Sequence, residues 1–178
     1  MMVSFNTPTG YFHVRAAVVC WRDDYVLVHQ AVGDTFWSLP GGRVDLGESS
    51  MQTIVREMGE ELLVTAQVGA LLATIEVIDQ RPQGGLFHEV GFYYAVTMPD
   101  LTWQVDPFRG PEAHNPVDFW WCPRAQLADL AMLPQSVKSL LLQRDGVYRH
   151  IVETGSGAGT RHFVHVNVST STTSLLSD

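Results

Sequence analysis

Apolar residues alternate with polar ones along several stretches of this chain and recur at helical spacing along others. The alternation is strongest over residues 86–97, LFHEVGFYYAVT. Phe87, Glu89, Gly91, Tyr93 and Ala95 share one face of the predicted strand, and Leu86, His88, Val90, Phe92, Tyr94 and Val96 share the other. Residues 12–21 predict an earlier strand, where His13 and Arg15 interrupt an apolar side ahead of the run 16–20. A polar turn at Arg22, Asp23 and Asp24 separates it from a second strand over 25–29, so the two predict a hairpin. Residues 66–78 predict one or two strands bent near Gly69, and 79–85, DQRPQGG, a loop. A short aromatic strand follows at 117–121.

Helical spacing marks residues 50–62, with a serine of the Ser49-Ser50 pair as the cap. At roughly 100° per residue Met51, Val55, Met58 and Leu62 form one narrow stripe, expected to be the buried side. Glu57, Glu60 and Glu61 point away from it. Pro123 suits the first turn of a helix over 124–130, and a second runs from 134 to 143 with Val137, Leu140 and Leu141 inward. A proline-rich loop spans 98–117. Near the end, 155–159 has the composition of a flexible linker, 161–168 alternates like a strand, and 169–178 is polar and expected to be disordered. The expected organisation is one domain over 1–150 and a Gly/Ser/Thr-rich tail over 151–178. The tail's strand would cover an edge of the core sheet, pair with another subunit or be an ordinary loose end.

A chain of 178 residues, nearly half of them apolar, suffices for one core. The formal net charge of -8 argues against a general grip on a nucleic-acid polymer, which needs basic surface. It leaves room for a nucleotide held through a metal ion, because the cation reverses the local charge logic. Cys20 and Cys122 match no metal or redox spacing and read as ordinary thiols. The N-terminus lacks the pattern of a secretory leader and no stretch has the length of a membrane span, so the expected location is cytoplasmic, with no membrane partner.

The chemistry concentrates in residues 39–64, LPGGRVDLGESSMQTIVREMGEELLV. Paired glycines at 41 and 42 permit backbone angles and close approaches that a side chain would block. On the following helix Glu57 lies within reach of Glu60 and Glu61. Like charges so placed need a counter-charge, which Arg56 supplies in part and a divalent cation would complete. Hard oxygen clusters of this kind suit Mg²⁺ or Mn²⁺ beside substrate phosphates. The residues alone equally allow a solvated acidic face.

The stretch resembles the Nudix box of the Nudix hydrolase superfamily. That pattern has a glycine, five residues, a glutamate, seven residues, Arg-Glu, an apolar residue, any residue, Glu-Glu, any residue, glycine and an apolar residue. Gly42, Glu48, Arg56, Glu57, Met58, Glu60, Glu61 and Val64 match it, and Leu63 stands where the family has glycine. The resemblance implies an α/β fold, the Nudix-type α/β/α sandwich with a mixed β-sheet. It also implies a Mg²⁺-dependent hydrolase, with Mn²⁺ as an alternative, and is compatible with a homodimer. Glu57 and Glu61 would be the main metal ligands, Glu60 a ligand or the base, and the Gly41 carbonyl a further ligand. Arg56 would hold the glutamates, and Glu48 would tie the loop to the helix. Glu112 and Glu89 stand behind Glu60 as candidate bases.

Other residues have a substrate role open to them beside a plain one. Arg15 either faces a substrate anion through its fork of donors or is a solvated strand residue. Phe36 and Trp37 either stack on a base or pack the loop. Arg43 either approaches phosphates or sits at the surface. Three functions follow. The first is hydrolysis of a nucleoside diphosphate linked to another moiety, of the nucleotide-sugar or ADP-ribose type, by water attack on a diphosphate phosphorus. The second is nucleoside triphosphate pyrophosphohydrolysis, with oxidised nucleotides included. The third is a Nudix-fold binding or regulatory protein without turnover.

Overall fold

The computed structural model describes residues 1–81, 84–156 and 162–166. In chain order the elements are β1 (Ser4–Thr7), β2 (Gly10–Val19), β3 (Trp21–Arg22), β4 (Tyr25–Ala31), β5 (Gly41–Arg43) and α1 (Ser50–Leu62). There follow β6 (Gln67–Gln80), β7 (Leu86–Thr97), β8 (Phe108–Arg109), β9 (Val117–Pro123), a 3₁₀ turn (Arg124–Gln126), α2 (Val137–Gln143), β10 (Arg149–Ser156) and β11 (His162–Val166). They build two sheets. The larger has the order β1-β2-β7-β6-β10-β11, with β5 also paired to β2; the smaller has the order β3-β4-β9-β8. The larger sheet is mixed, because β2 runs parallel to β7 and β10 parallel to β6 while β6 and β7 are antiparallel.

The β2 sequence explains its central place. Ala16 and Val18 enter a core with Ile54, Met58 and Leu62 of α1, while Ala17 and Val19 enter a second core with Val137, Leu140 and Leu141 of α2. A strand apolar on both faces needs a cover on each, and the two helices supply them. Full burial of each large apolar side chain contributes on the order of 1.5–3 kcal/mol. Among the described residues no helix is long and apolar enough to cross a membrane. Cys20 and Cys122 are free, and burial pushes both thiols up to about 11.

Several expectations change. The predicted hairpin is reduced to the pairs Trp21↔Val26 and Arg22↔Tyr25, because the chain leaves the larger sheet after Val19 and β4 pairs along its length with β9. The bend expected near Gly69 is a pair of register shifts between Val68 and Ala73 within one long strand. The helix expected over 124–130 is only the 3₁₀ turn Arg124–Gln126. Residue 151, where the tail was expected to start, lies within β10, which pairs with β6 over its whole length. Ile151 and Glu153 are fully buried there, and the Glu153 carboxylate accepts from the backbone N–H of Ser136 at 2.9 Å and Gln135 at 3.3 Å, ahead of α2. Part of the expected linker, and the whole of 169–178, lie outside the described residues.

Helix α1 has the expected bounds but not the expected face. Its buried residues are Thr53, Ile54, Met58, Glu61 and Leu62, whereas Met51 and Val55 are 44% and 47% exposed. At 100° per residue the buried face is turned by roughly 70° toward the glutamates. The cause is tertiary: α1 packs on β2 and β5, where Glu57 crosses over Gly42 and Thr53 donates to Glu48 at 2.8 Å. At its start Ser49 and Gln52 form a reciprocal capping box.

At its end the departure from the Nudix pattern acquires a physical meaning. Leu63 sits in the left-handed region at φ 57°, ψ 34°, and its side chain is 74% exposed. A side chain there costs roughly 1–2 kcal/mol that glycine avoids. Leu63→Gly should therefore stabilise the protein by about 1 kcal/mol, after the entropy that glycine adds to the unfolded chain. Differential scanning calorimetry should show a rise of about 2–4 °C; a fall would show that the exposed leucine makes contacts worth more than the strain.

Candidate active site

The strand β2 presents Tyr11, His13 and Arg15 at alternate positions, and all three line one cavity of about 420 Å³. Gly41, Gly42 and Arg43 of β5, His29 of β4 and Glu89 of β7 add to its wall, as do Glu57 and Glu61 of α1. Asp34, Phe36 and Ser38 come from the loop after β4, and Asn115 from the loop before β9.

Close packing of β5 on β2 requires Gly41, and the seat of Glu57 over β5 requires Gly42. Gly41 has φ +132°, and a Cβ there would lie 2.2 Å from the Ala16 carbonyl oxygen. A Cβ on Gly42 would lie 2.1 Å from Glu57 Oε1. The Glu57 carboxylate thus occupies space that only a glycine leaves open.

Arg56 gathers the acids around it. It donates from Nε to Glu48 Oε1 at 3.0 Å, from Nη1 to Glu57 Oε1 at 2.7 Å and Glu60 Oε2 at 3.2 Å, and from Nη2 to Glu48 Oε2 at 3.0 Å and the Arg43 carbonyl at 3.2 Å. These bonds from Arg56 hold the Glu48 carboxyl down to about 2. Arg15 donates to the Leu39 carbonyl at 2.9 Å, and Arg43 to the Tyr11 hydroxyl at 3.0 Å. His13 Nε2 and Glu89 Oε2 pair at 2.6 Å, both side chains nine-tenths buried. Burial, followed by the Arg15 charge, lowers His29 to about 3, so this ring is neutral.

The two cavity glutamates of α1 lack enough positive charge. Burial raises Glu57, and it raises Glu61 to about 7 against the pull of Arg15. Glu61 Oε2 is buried and makes no hydrogen bond. Desolvated carboxylates facing a cavity are the hard-oxygen chemistry that a divalent cation relieves, and Mg²⁺ is held by one or two carboxylates with waters and phosphates completing its shell. Among the described residues, no three His, Cys, Asp or Glu side chains converge into a complete cage.

Of the residues singled out from sequence, Arg15, Phe36, Gly41, Arg43, Glu57, Glu61 and Glu89 line the cavity. Glu60, Glu112, Arg56 and Trp37 are not in its lining. Glu60 has a side chain 55% exposed and turned to Arg56. Trp37 packs against Trp120 with ring centroids 5.6 Å apart and joins the second core. Sequence reasoning missed Tyr11, His13, His29 and Asn115. The signal for the first two was the period of two along β2, which puts them on the face of Arg15. His29 becomes visible only once β4 is placed beside the Leu39–Gly41 turn.

The sequence matches the family described as NUDIX domain over residues 11–143. The chain belongs to that family. The family match spans β2 through α2 and stops short of β10. The Bacillus subtilis (strain 168) protein YjhB, named provisionally as an ADP-ribose pyrophosphatase, is 30% identical over 93 residues, covering 52% of this chain and 44% of YjhB. This chain thus spans less than half of that relative's length. The CTP pyrophosphohydrolase of Escherichia coli (strain K12) is 27% identical over 129 residues, covering 70% of this chain and 85% of its own. The crystal structure of the mutator MutT protein from Bacillus halodurans superposes with a TM-score of 0.63 at 17% identity, covering 86% of this Nudix chain and 97% of that one, and so shares the fold.

Proposed function

We propose that this Nudix domain hydrolyses the diphosphate of a nucleoside diphosphate linked to another moiety, of the nucleotide-sugar or ADP-ribose type. The observation that carries the reading is the meeting of Glu57 and Glu61 with Arg15 and Arg43 around one cavity of about 420 Å³, within the range of small-molecule sites. The name of YjhB supports an ADP-ribose type of substrate. The name of the Escherichia coli relative supports the second reading, a nucleoside triphosphate cleaved to a monophosphate and pyrophosphate by the same chemistry.

Glu57 and Glu61 would hold Mg²⁺ or Mn²⁺, with the Gly41 carbonyl as a further ligand. The ion supplies charge neutralisation at the phosphate oxygens and polarisation of phosphorus. Arg15 and Arg43 bind the diphosphate oxygens through charge-assisted bonds. Phe36 offers an aromatic face to the nucleotide. A water oxygen forms the new bond to phosphorus, the anhydride P–O bond breaks, and the second phosphate leaves with the electron pair. Glu89 is the remaining cavity glutamate for the water's proton, and the His13 bond fixes its orientation. Glu60 and Glu112, outside the lining, serve this role less well.

The test is a panel of ADP-ribose, nucleotide sugars, dinucleoside polyphosphates and normal and oxidised nucleoside triphosphates, incubated with Mg²⁺ or Mn²⁺ and analysed by mass. The expected products are two phosphate monoesters from ADP-ribose or a nucleotide sugar. Pyrophosphate release from a triphosphate would establish the second reading instead. Failure to bind metal or turn over any member would leave a binding protein.

A further inference from the structure

Two buried polar atoms of cavity-lining residues face each other. His29 Nδ1 and Glu61 Oε2 lie 3.8 Å apart, and neither makes a hydrogen bond. Arg15 decides what His29 presents there. Its Nη2 lies 3.4 Å from His29 Nε2 and 2.9 Å from the Leu39 carbonyl oxygen. A guanidinium carries donors and no acceptor, so Nε2 must offer its lone pair. The ring proton then sits on Nδ1, facing Glu61. The other tautomer would set N–H against N–H at Arg15 and a lone pair against the carboxylate.

The imidazole is also fixed in place. The His29 backbone exchanges two hydrogen bonds with Ser38, each of 2.9 Å, and its ring lies 5.8 Å from that of Phe119. A buried donor and a buried acceptor, each without a partner, are costly when left apart. A closer approach of about 1 Å brings them to hydrogen-bond length.

We infer that His29 is a positioning residue: its Nδ1–H engages Glu61 Oε2 and thereby leaves Oε1 to face the cavity and its cation. Arg15 is the third member, because it sets the tautomer. The inference rests on the Nudix hydrolase reading above, in which Glu61 is a ligand.

The test uses the full chain with His29→Leu, His29→Asn and His29→Gln. Asn carries its amide near the place of Nδ1, Gln near that of Nε2. Mn²⁺ affinity is read from the electron paramagnetic resonance of the free ion, beside kcat, KM and thermal unfolding. His29→Leu should weaken Mn²⁺ binding by roughly 10–100-fold, the usual effect of losing a partner that orients a metal ligand. It should lower kcat more than it raises KM. His29→Asn should recover most of the affinity and His29→Gln little of it. Parental Mn²⁺ affinity in folded His29→Leu overturns the inference, as does a His29→Asn no better than His29→Gln. That Asn/Gln comparison decides the matter if His29→Leu does not fold. Glu61→Gln separates the two levels: parental Mn²⁺ affinity in that variant defeats the reading of the site, whereas its loss beside an unaffected His29→Leu defeats only the role of His29.

Discussion

Glu61→Gln is expected to lower kcat/KM by roughly 10³-fold, about 4 kcal/mol of transition-state stabilisation, while the protein remains folded. The side chain keeps its shape and loses its charge. Glu61 is 5% exposed, so its carboxylate sits where charge is poorly solvated. Burial raises its folded value from 4.5 to about 7. The linkage sign follows. An acid that is harder to ionise in the folded state costs no stability below the unfolded value, near 4.5. It costs progressively more as pH rises toward 7, and the full cost applies above that. Without metal, Glu61→Gln should therefore be at least as stable as the parent at pH 8, and the difference should shrink as the pH falls to about 4.5. Urea unfolding at several pH values, with and without Mn²⁺, tests both parts. Mn²⁺ should stabilise the parent and not the variant. A variant with parental turnover would remove Glu61 from the chemistry.

The adjacent glycines should respond to alanine in opposite ways. Gly41→Ala places a methyl group 2.2 Å from the Ala16 carbonyl oxygen and 3.0 Å from the Ala17 Cα, both backbone atoms of a central strand, at φ +132°. Neither atom can yield without moving β2. The strained backbone and the overpacking together should cost about 3 kcal/mol, a fall in Tm of roughly 6–12 °C. The nearest atoms to a methyl group at Gly42→Ala are those of the Glu57 carboxyl, at 2.1–2.7 Å, the far end of a flexible side chain. That group can swing away, so stability should change by less than about 1 kcal/mol. Activity should still fall by about 10²-fold, because the displaced carboxylate no longer lines the site. Thermal unfolding and steady-state rates on both variants separate the effects. Equal losses of stability would show that Glu57 is as rigidly held as the backbone.

The bounds of α1 and β7 were legible because local signals agree with tertiary need there. Ser49 caps, the glutamates recur at helical spacing, and burial in β7 alternates from Glu89 to Tyr93. The buried face of α1 was not legible. Met51 and Val55 are apolar yet exposed, and Glu61 is charged yet buried. Counting apolar positions assigns a helix to a solvent boundary, and here the site inverts that rule at three residues of thirteen. The pair Phe36-Trp37 shows a second limit. Successive residues of an irregular loop diverge, one into the cavity and one onto Trp120. The proline-rich loop shows a third. Met98 and Leu101 are buried, and Trp103 packs between Tyr25 and Trp121, so much of it lies on the core and its end contributes Asn115 to the cavity. None of these placements is encoded in local spacing.

The attachment of β10 also fixes when this domain can finish folding. Arg149 meets Ala73 and Ser156 meets Gln80, so the pairing joins parts of the chain made far apart in time during synthesis. Contacts of such long sequence separation form late, after the loop entropy has been overcome. The N–H groups of Gln135 and Ser136 receive the Glu153 carboxylate only when that strand docks. On a ribosome, the residues that line the cavity are therefore made well before β10, and the N–H groups ahead of α2 gain the Glu153 carboxylate only once that strand has emerged.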